Sequence, residues 1–92
     1  MSQKTAVISG ASMGIGLALA ERLLDEGYKV LGTNRNGIIP VIQHQNFHSI
    51  ALDLTKQESI DKACREILGQ TEGIDLLINN AGIGPDLGKH LP

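Results

Sequence analysis

Tryptophan is absent from this 92-residue chain, and tyrosine, phenylalanine and cysteine occur once each. With so few aromatics, no basic run and a net charge of −2, the chain lacks both the stacking platform and the positive groove that hold nucleic acids. Its single Cys64 has no partner for an internal disulfide, a pattern that fits a reducing compartment and makes the cytoplasm the expected location. No apolar run approaches the ~18–20 residues of a membrane span. Met1 to Lys4 leads directly into an apolar strand, which leaves no room for a signal peptide. The histidines do not make a metal site. His44 and His48 are four residues apart, but Pro40 and a strand beginning at His48 keep them off a shared helical face. His90 stands apart from both, and no cysteine or carboxylate cluster completes a ligand set.

What is present is an ordinary globular composition, 41% apolar and 20% charged, in a length that allows one small domain. The most informative stretch is Gly10-Ala11-Ser12-Met13-Gly14-Ile15-Gly16, which follows the apolar run Thr5-Ala6-Val7-Ile8-Ser9. A buried strand that breaks into glycines and then into an apolar-periodic segment reads as strand, tight turn and helix. Such a turn aims backbone N–H groups at one spot, and the helix N-terminus adds about half a positive charge there. A phosphate is the natural occupant. The loop is not a P-loop, because no Lys-Ser/Thr follows the last glycine. Ser12 can bond phosphate, cap the helix, or do both.

Strand one is predicted from Lys4 to Ser9 and the first helix from Gly14 to Glu26, with Gly27 as its left-handed stop. In that helix Ile15, Ala18, Leu19 and Leu23 share one face while Leu17, Ala20 and Leu24 share a neighbouring one, which implies burial over more than half its surface. Lys29 to Thr33 reads as strand two. Asn36 to Phe47 supplies the roughly dozen residues of a parallel crossover, with Ile38, Ile39, Val41 and Ile42 to be buried and Pro40 opposing a long helix. His48 to Asp53 reads as strand three. Thr55-Lys56-Gln57-Glu58 has the form of a capping box. The helix after it places Ile60, Ala63, Cys64, Ile67 and Leu68 on one apolar face, with Cys64 in the core and Gly69 at the end. Ile74 to Ile78 reads as strand four, Asn79-Asn80-Ala81-Gly82 as the turn that closes it, and 83–92 as a tail.

Strands alternating with helical or crossover segments give an α/β fold with a doubly wound parallel sheet. Right-handed crossovers set the strand order 3-2-1-4, with the topological switch between strands one and four. Ligands bind beyond the C-terminal strand ends at such a switch. The glycine loop, Asn34-Arg35, Asp53 and Asn80-Ala81-Gly82 all fall at those ends.

Glycines spaced Gly-x-x-x-Gly-x-Gly, Asp53 after strand three and Asn79-Asn80-Ala81-Gly82 after strand four together closely resemble the short-chain dehydrogenase/reductases, from Lys4 to Gly82. Methyltransferases that use S-adenosylmethionine share a glycine-rich first turn but leave the Asn-Asn-Ala-Gly element unexplained. The resemblance implies a Rossmann-type sheet and a dinucleotide-binding domain over 1–82. It also implies that Gly10, Gly14 and Gly16 form the pyrophosphate turn, lined by Ser12, Met13 and Ile15. Asp53 would accept from the adenine amino group, with the Leu54 backbone beside the ring. Asn80, Ala81 and Gly82 would lie against the ribose near the nicotinamide. Two simpler roles stand beside these: Asp53 as a carboxylate at the start of a helix near Thr55, and Asn79 and Asn80 as a stitch between strands.

An NAD-selective site of this kind carries Asp or Glu at the end of strand two to hold the ribose 2′-hydroxyl. Here that place holds Asn34 followed by Arg35. A guanidinium can fork onto a 2′-phosphate that a carboxylate would repel, so NADP is expected over NAD. Met13 stands where many NADP-using members place a second basic residue.

Hydride transfer to a carbonyl also needs a general acid/base. The family uses a Tyr-x-x-x-Lys helix motif with a supporting Ser, and none of that set can be placed here. The only tyrosine, Tyr28, has Gly32 four residues on. The catalytic residues are therefore expected outside these 92 residues. On the first of three readings the chain is the truncated cofactor-binding part of a carbonyl/hydroxyl oxidoreductase. It could instead be a stand-alone nucleotide-binding module that self-associates through the open edge of strand four, or a non-catalytic interaction protein.

Overall fold

Val7, Ile8, Val30 and Leu31 lie side by side at the middle of a four-stranded parallel sheet, each almost wholly buried. The computed structural model describes residues 3–12 and 14–80. The elements run β1 (Thr5–Ser9), α1 (Gly14–Asp25), β2 (Lys29–Asn34), β3 (Phe47–Ala51), α2 (Gln57–Gln70) and β4 (Leu76–Asn79). The sheet order is β3-β2-β1-β4, as the crossover rule requires. Register is continuous across it: Ser9 faces Thr33 on one side and Asn79 on the other, and Thr33 faces Ile50.

Burial follows position in the sheet. The inner strands β1 and β2 are buried on both faces from Thr5 to Ile8 and from Val30 to Thr33, as near-continuous apolar runs in parallel sheets should be. The outer strands are only half covered. In β4, Leu76 and Ile78 are partly buried while Leu77 is 67% exposed.

On one face Ala6, Ile8 and Val30 pack with Ala20 and Leu24 of α1 and with Ile39 and Ile42 of the crossover. On the other, Val7, Leu31 and Ile50 pack against Ala63 of α2. The segment between β2 and β3 contains no helix. It inserts only Ile39 and Ile42 into the core and leaves Ile38 and Val41 exposed. From the sequence all four are expected inside. An irregular segment lying along a sheet can turn only some of its side chains inward.

Several boundaries also differ from expectation. The first helix ends at Asp25, and its fully buried stripe is the narrow line Gly16, Ala20, Leu24. Ile15 and Ala18 face outward because the sheet contacts only one side of the cylinder. Its stop is as expected: Gly27 has φ 91°, and the Tyr28 and Gly27 N–H groups bond back to the Leu23 and Leu24 carbonyls, a Schellman arrangement. Strand two runs one residue further than read, to Asn34, while β3 starts at Phe47 and stops at Ala51, short of Asp53.

The capping box does not form. The second helix starts at Gln57, its N-cap is Lys56 without a side-chain bond, and Thr55 turns instead to Asp53. Gly69 lies within that helix, which ends at Gln70. Cys64 is exposed rather than core, and Leu68 is 75% exposed, because only the line of Ala63 and Ile67 reaches the sheet. No helix among the described residues is long and apolar enough to cross a membrane.

Candidate functional site

Because all four strands are parallel, their C-terminal ends open on a single edge. Gly10, Asn34, Asp53 and Asn80 are each the first or second residue past, or the last residue of, a strand that ends there. The sequence reading that gathered these residues is thus matched in space.

The glycine loop owes its shape to missing side chains. Gly10 and Gly14 adopt φ of 69° and 60°, where a side chain would strain the backbone. Gly16 meets a different demand. A Cβ there would lie 2.2 Å from the Gly10 carbonyl oxygen and 2.6 Å from Asn80 Nδ2. The first turn of α1 is thus closed onto the strand it came from. Gly32 clears the floor beneath, since a Cβ there would meet the Phe47 ring at 2.8 Å and Ala11 Cβ at 2.9 Å.

Not every N–H in the loop is available to a ligand. The Gly10 and Ala11 N–H groups both donate to the Thr33 carbonyl, at 3.0 and 3.1 Å, which extends the sheet past β1. The donors that helix geometry leaves without a partner inside α1 belong to its first turn, Gly14, Ile15 and Gly16. Ser12 is half-buried beside them, and the Ile15 side chain is 65% exposed. Met13 lies outside the described residues, as do Ala81 and Gly82.

The end of β4 is tied to this loop. Asn80 Nδ2 donates to the Gly10 carbonyl at 3.1 Å, and the Asn80 N–H donates to Ser9 Oγ at 2.9 Å. Ser9 Oγ in turn donates to Asn79 Oδ1 at 2.9 Å. The strand-stitching role of Asn79 and Asn80 is therefore formed directly.

On the other side, Asn34 closes the loop after β2. Its Oδ1 accepts from the Gly37 N–H at 2.7 Å, and its Nδ2 donates to the Ile38 carbonyl at 2.7 Å. The Arg35 side chain is exposed and makes no hydrogen bond or ion pair among the described residues. Asp53 faces it across the edge. The Asp53 Oδ1 accepts from both the Thr55 hydroxyl (2.6 Å) and the Thr55 N–H (3.0 Å), while the Asp53 N–H donates to Ser59 Oγ at 2.8 Å. Those two Thr55 bonds, and then the positive charges of Arg35 and Lys56, hold the Asp53 carboxyl below its ordinary range. The carboxylate at the start of the helix is thus in place, with Leu54 exposed beside it.

Sequence reasoning missed Gly32, Thr33, Ser9, Gly37 and Ser59. Gly32 did carry a signal, since a glycine inside a strand marks a close approach of other atoms. Ser9 and Thr33 act through partners distant in sequence, whereas Gly37 and Ser59 bond residues three and six positions away. His44 uses Nδ1 to accept the Asn46 N–H, and no group of three metal-ligating side chains occurs among the described residues. An open cleft of about 640 Å³ lies at the opposite end of the sheet, lined by Thr5, Lys29, Thr71 and Asp75 among others. Its polar groups pair with one another: Thr5 Oγ1 with Thr71 Oγ1, the Thr5 N–H with Asp75 Oδ2, and the Lys29 ammonium with the Gln70 carbonyl. It therefore reads as a seam joining α2 to the sheet.

This arrangement has close counterparts among known proteins. Residues 4–90 match the short chain dehydrogenase family model. A 3-oxoacyl-[acyl-carrier-protein] reductase of Vibrio cholerae is 40% identical over 87 residues, covering 90% of this chain and 36% of the relative. A serine 3-dehydrogenase of Agrobacterium fabrum is 39% identical over 83 residues, covering 86% of this chain and 33% of the relative. In three dimensions, a 3-ketoacyl-(acyl-carrier-protein) reductase of Brucella melitensis, solved with NADH, superimposes with a TM-score of 0.76 at 32% identity, over 88% of this chain and 35% of that one. The chain thus spans about a third of the length of these relatives. With the four-stranded Rossmann-type sheet, the closed glycine loop and the family match over nearly every residue, the chain belongs to the short-chain dehydrogenase family.

Proposed function

We propose that these residues are the dinucleotide-holding part of an NADP(H)-dependent oxidoreductase that interconverts a carbonyl and a hydroxyl. The observation that carries this reading is the pairing of a glycine loop too tight for any side chain at Gly16 with an exposed Arg35 on the same edge that makes no hydrogen bond or ion pair among the described residues. The residues fit such a ligand. The first-turn N–H groups of α1, with Ser12, Met13 and Ile15, would hold the pyrophosphate, aided by the positive end of the helix. Arg35 would fork onto the 2′-phosphate, Asp53 and Leu54 would flank the adenine, and Asn80, Ala81 and Gly82 would border the nicotinamide ribose. A bound nicotinamide supplies or accepts the hydride.

The part these residues play is to bind and orient, and residues 1–82 act as the binding unit with 83–92 as a connecting tail. In this sequence the only tyrosine is not followed by lysine at the fourth position, so the proton relay of the family is assigned to residues beyond these. The test is a titration of the full chain with NADPH and NADH, before and after Arg35→Ala. NADPH binding should weaken by ~1–3 kcal/mol and NADH binding should hardly change. Equal losses for both cofactors would remove Arg35 from the phosphate.

A second reading, NAD preference, draws on the NADH found with the Brucella reductase. The same titration separates the two.

A further inference from the structure

Asn34 occupies the position at which an NAD-selective site would carry a ribose-binding carboxylate. Its amide is engaged elsewhere. Oδ1 holds the Gly37 N–H and Nδ2 holds the Ile38 carbonyl, both at 2.7 Å, so one side chain bridges both sides of the turn that begins at its own Cα. The turn is pinned in three further ways. The Ile38 N–H donates to Asn36 Oδ1 at 3.0 Å. The Asn34 carbonyl accepts the Leu52 N–H at 2.8 Å, which ties the start of the turn to the chain leaving β3. Gly37 has φ 76° and sits against β3 so closely that a Cβ would lie 3.0 Å from both the Ala51 nitrogen and Ala51 Cβ.

Arg35 rides on this turn, one residue into it, with no hydrogen bond of its own among the described residues. A long, exposed arginine gains affinity for a phosphate only to the extent that its backbone is already placed, because every freedom lost on binding subtracts from the contact.

We infer that Asn34 is a positioning residue for cofactor choice: it acts through Arg35, by clamping the Asn34–Ile38 turn, and makes no contact of its own with the dinucleotide. This rests on the reading of Arg35 as the 2′-phosphate ligand. It assigns a specificity role to the turn as a unit, with Gly37 as its second determinant.

The test is equilibrium binding of NADPH and NADH to the full chain, followed by cofactor fluorescence, with thermal melts of the unliganded protein alongside. Asn34→Ala should weaken NADPH binding by about tenfold, the scale set by one charge-assisted contact, and change NADH binding less than about twofold. Gly37→Ala leaves the Asn34 amide intact but disturbs the turn, and should reproduce the same selective loss. In an Arg35→Ala background, Asn34→Ala should have no further effect on the NADPH-to-NADH ratio, since residues acting as one unit are not additive.

An Asn34→Ala effect that persists in full without Arg35 would make Asn34 a direct ligand and overturn the inference. Equal weakening of both cofactors in Asn34→Ala and Gly37→Ala would reduce the turn to a merely structural element and overturn it as well. If Arg35→Ala alone binds NADPH like the wild type, the reading of Arg35 falls and the inference with it. If Arg35→Ala loses NADPH selectively while Asn34→Ala and Gly37→Ala bind like the wild type, only the inference falls.

Discussion

The two faces of the sheet are built to different standards. The face under α1 is a continuous core in which Ala6, Ile8 and Val30 meet Ala20, Leu24, Ile39 and Ile42. The face under α2 has Val7, Leu31 and Ile50 against Ala63, and it leaves Leu77 of β4 67% exposed. The difference comes from connection, not composition. Two consecutive crossovers, the first helical and the second irregular, cover the α1 face, whereas one helix covers the other. The glycine loop grows out of the better-packed face, which gives its tight closure a rigid base.

Core truncations should expose this inequality most strongly. Ile8→Ala, at a wholly buried position between α1 and the crossover, should cost about 4 kcal/mol in denaturant unfolding of the full chain. Ile50→Ala, buried but on an outer strand that can relax, should cost only about 2–3 kcal/mol. If the two losses were equal, the faces would be energetically alike and the comparison would fail.

Gly16→Ala carries the test into the loop. Its methyl must displace both the Gly10 carbonyl and Asn80 Nδ2, so a stability loss of ~1–3 kcal/mol is expected, with weakened binding of either dinucleotide. Unchanged melting and unchanged binding would mean that the loop is not closed as described.

On the open face, Leu77→Thr should alter stability by no more than about 0.5 kcal/mol, as exposed substitutions generally do. A loss above about 2 kcal/mol in the full chain would show this face to be covered there, since such losses belong to buried apolar side chains.

The smallest effect concerns acid. The Asp53 carboxyl sits below its ordinary value of 3.8 in the folded chain, first because of its Thr55 hydrogen bonds and then because of Arg35 and Lys56. On acidification the unfolded chain therefore takes up its proton before the folded one does. The stabilising contribution is complete above 3.8 and disappears as pH falls through the lower, folded value. Thr55→Val removes the principal cause, and should lower the neutral plateau of the stability curve slightly, leave stability at the lowest pH unchanged, and so flatten the acid limb. An acid limb that keeps its full height would place the cause elsewhere.

Legibility in the sequence varied with the range of the interactions. Gly27 as the stop of α1 was readable because a left-handed residue after an apolar helix is a local requirement. The strand order was readable because crossover handedness leaves few alternatives. The capping box at Thr55 was legible and wrong. The motif competes with an equally local partner, Asp53, and the turn leaving β3 favours Asp53 by bringing its Oδ1 to the Thr55 hydroxyl. Cys64 and Leu68 had the spacing of a buried face, but helical spacing does not say how wide a stripe the sheet will cover.

By itself, the sequence determined the alternation of strands and helices, the left-handed positions that only glycine fills easily, and the residues that gather at the C-terminal strand ends. These follow from side-chain volume, backbone freedom and connection length, all of which are properties of short stretches. Only the tertiary structure decided which groups remain available at that edge. There the Gly10 and Ala11 N–H groups go to Thr33, the Asn34 amide to its own turn and the Asn80 amide to the Gly10 carbonyl, while Arg35 is left without a hydrogen bond or ion pair among the described residues. The reason is that a polar group takes the partner that packing brings within about 3 Å, and for the Gly10, Ala11 and Asn80 groups that partner is distant in sequence.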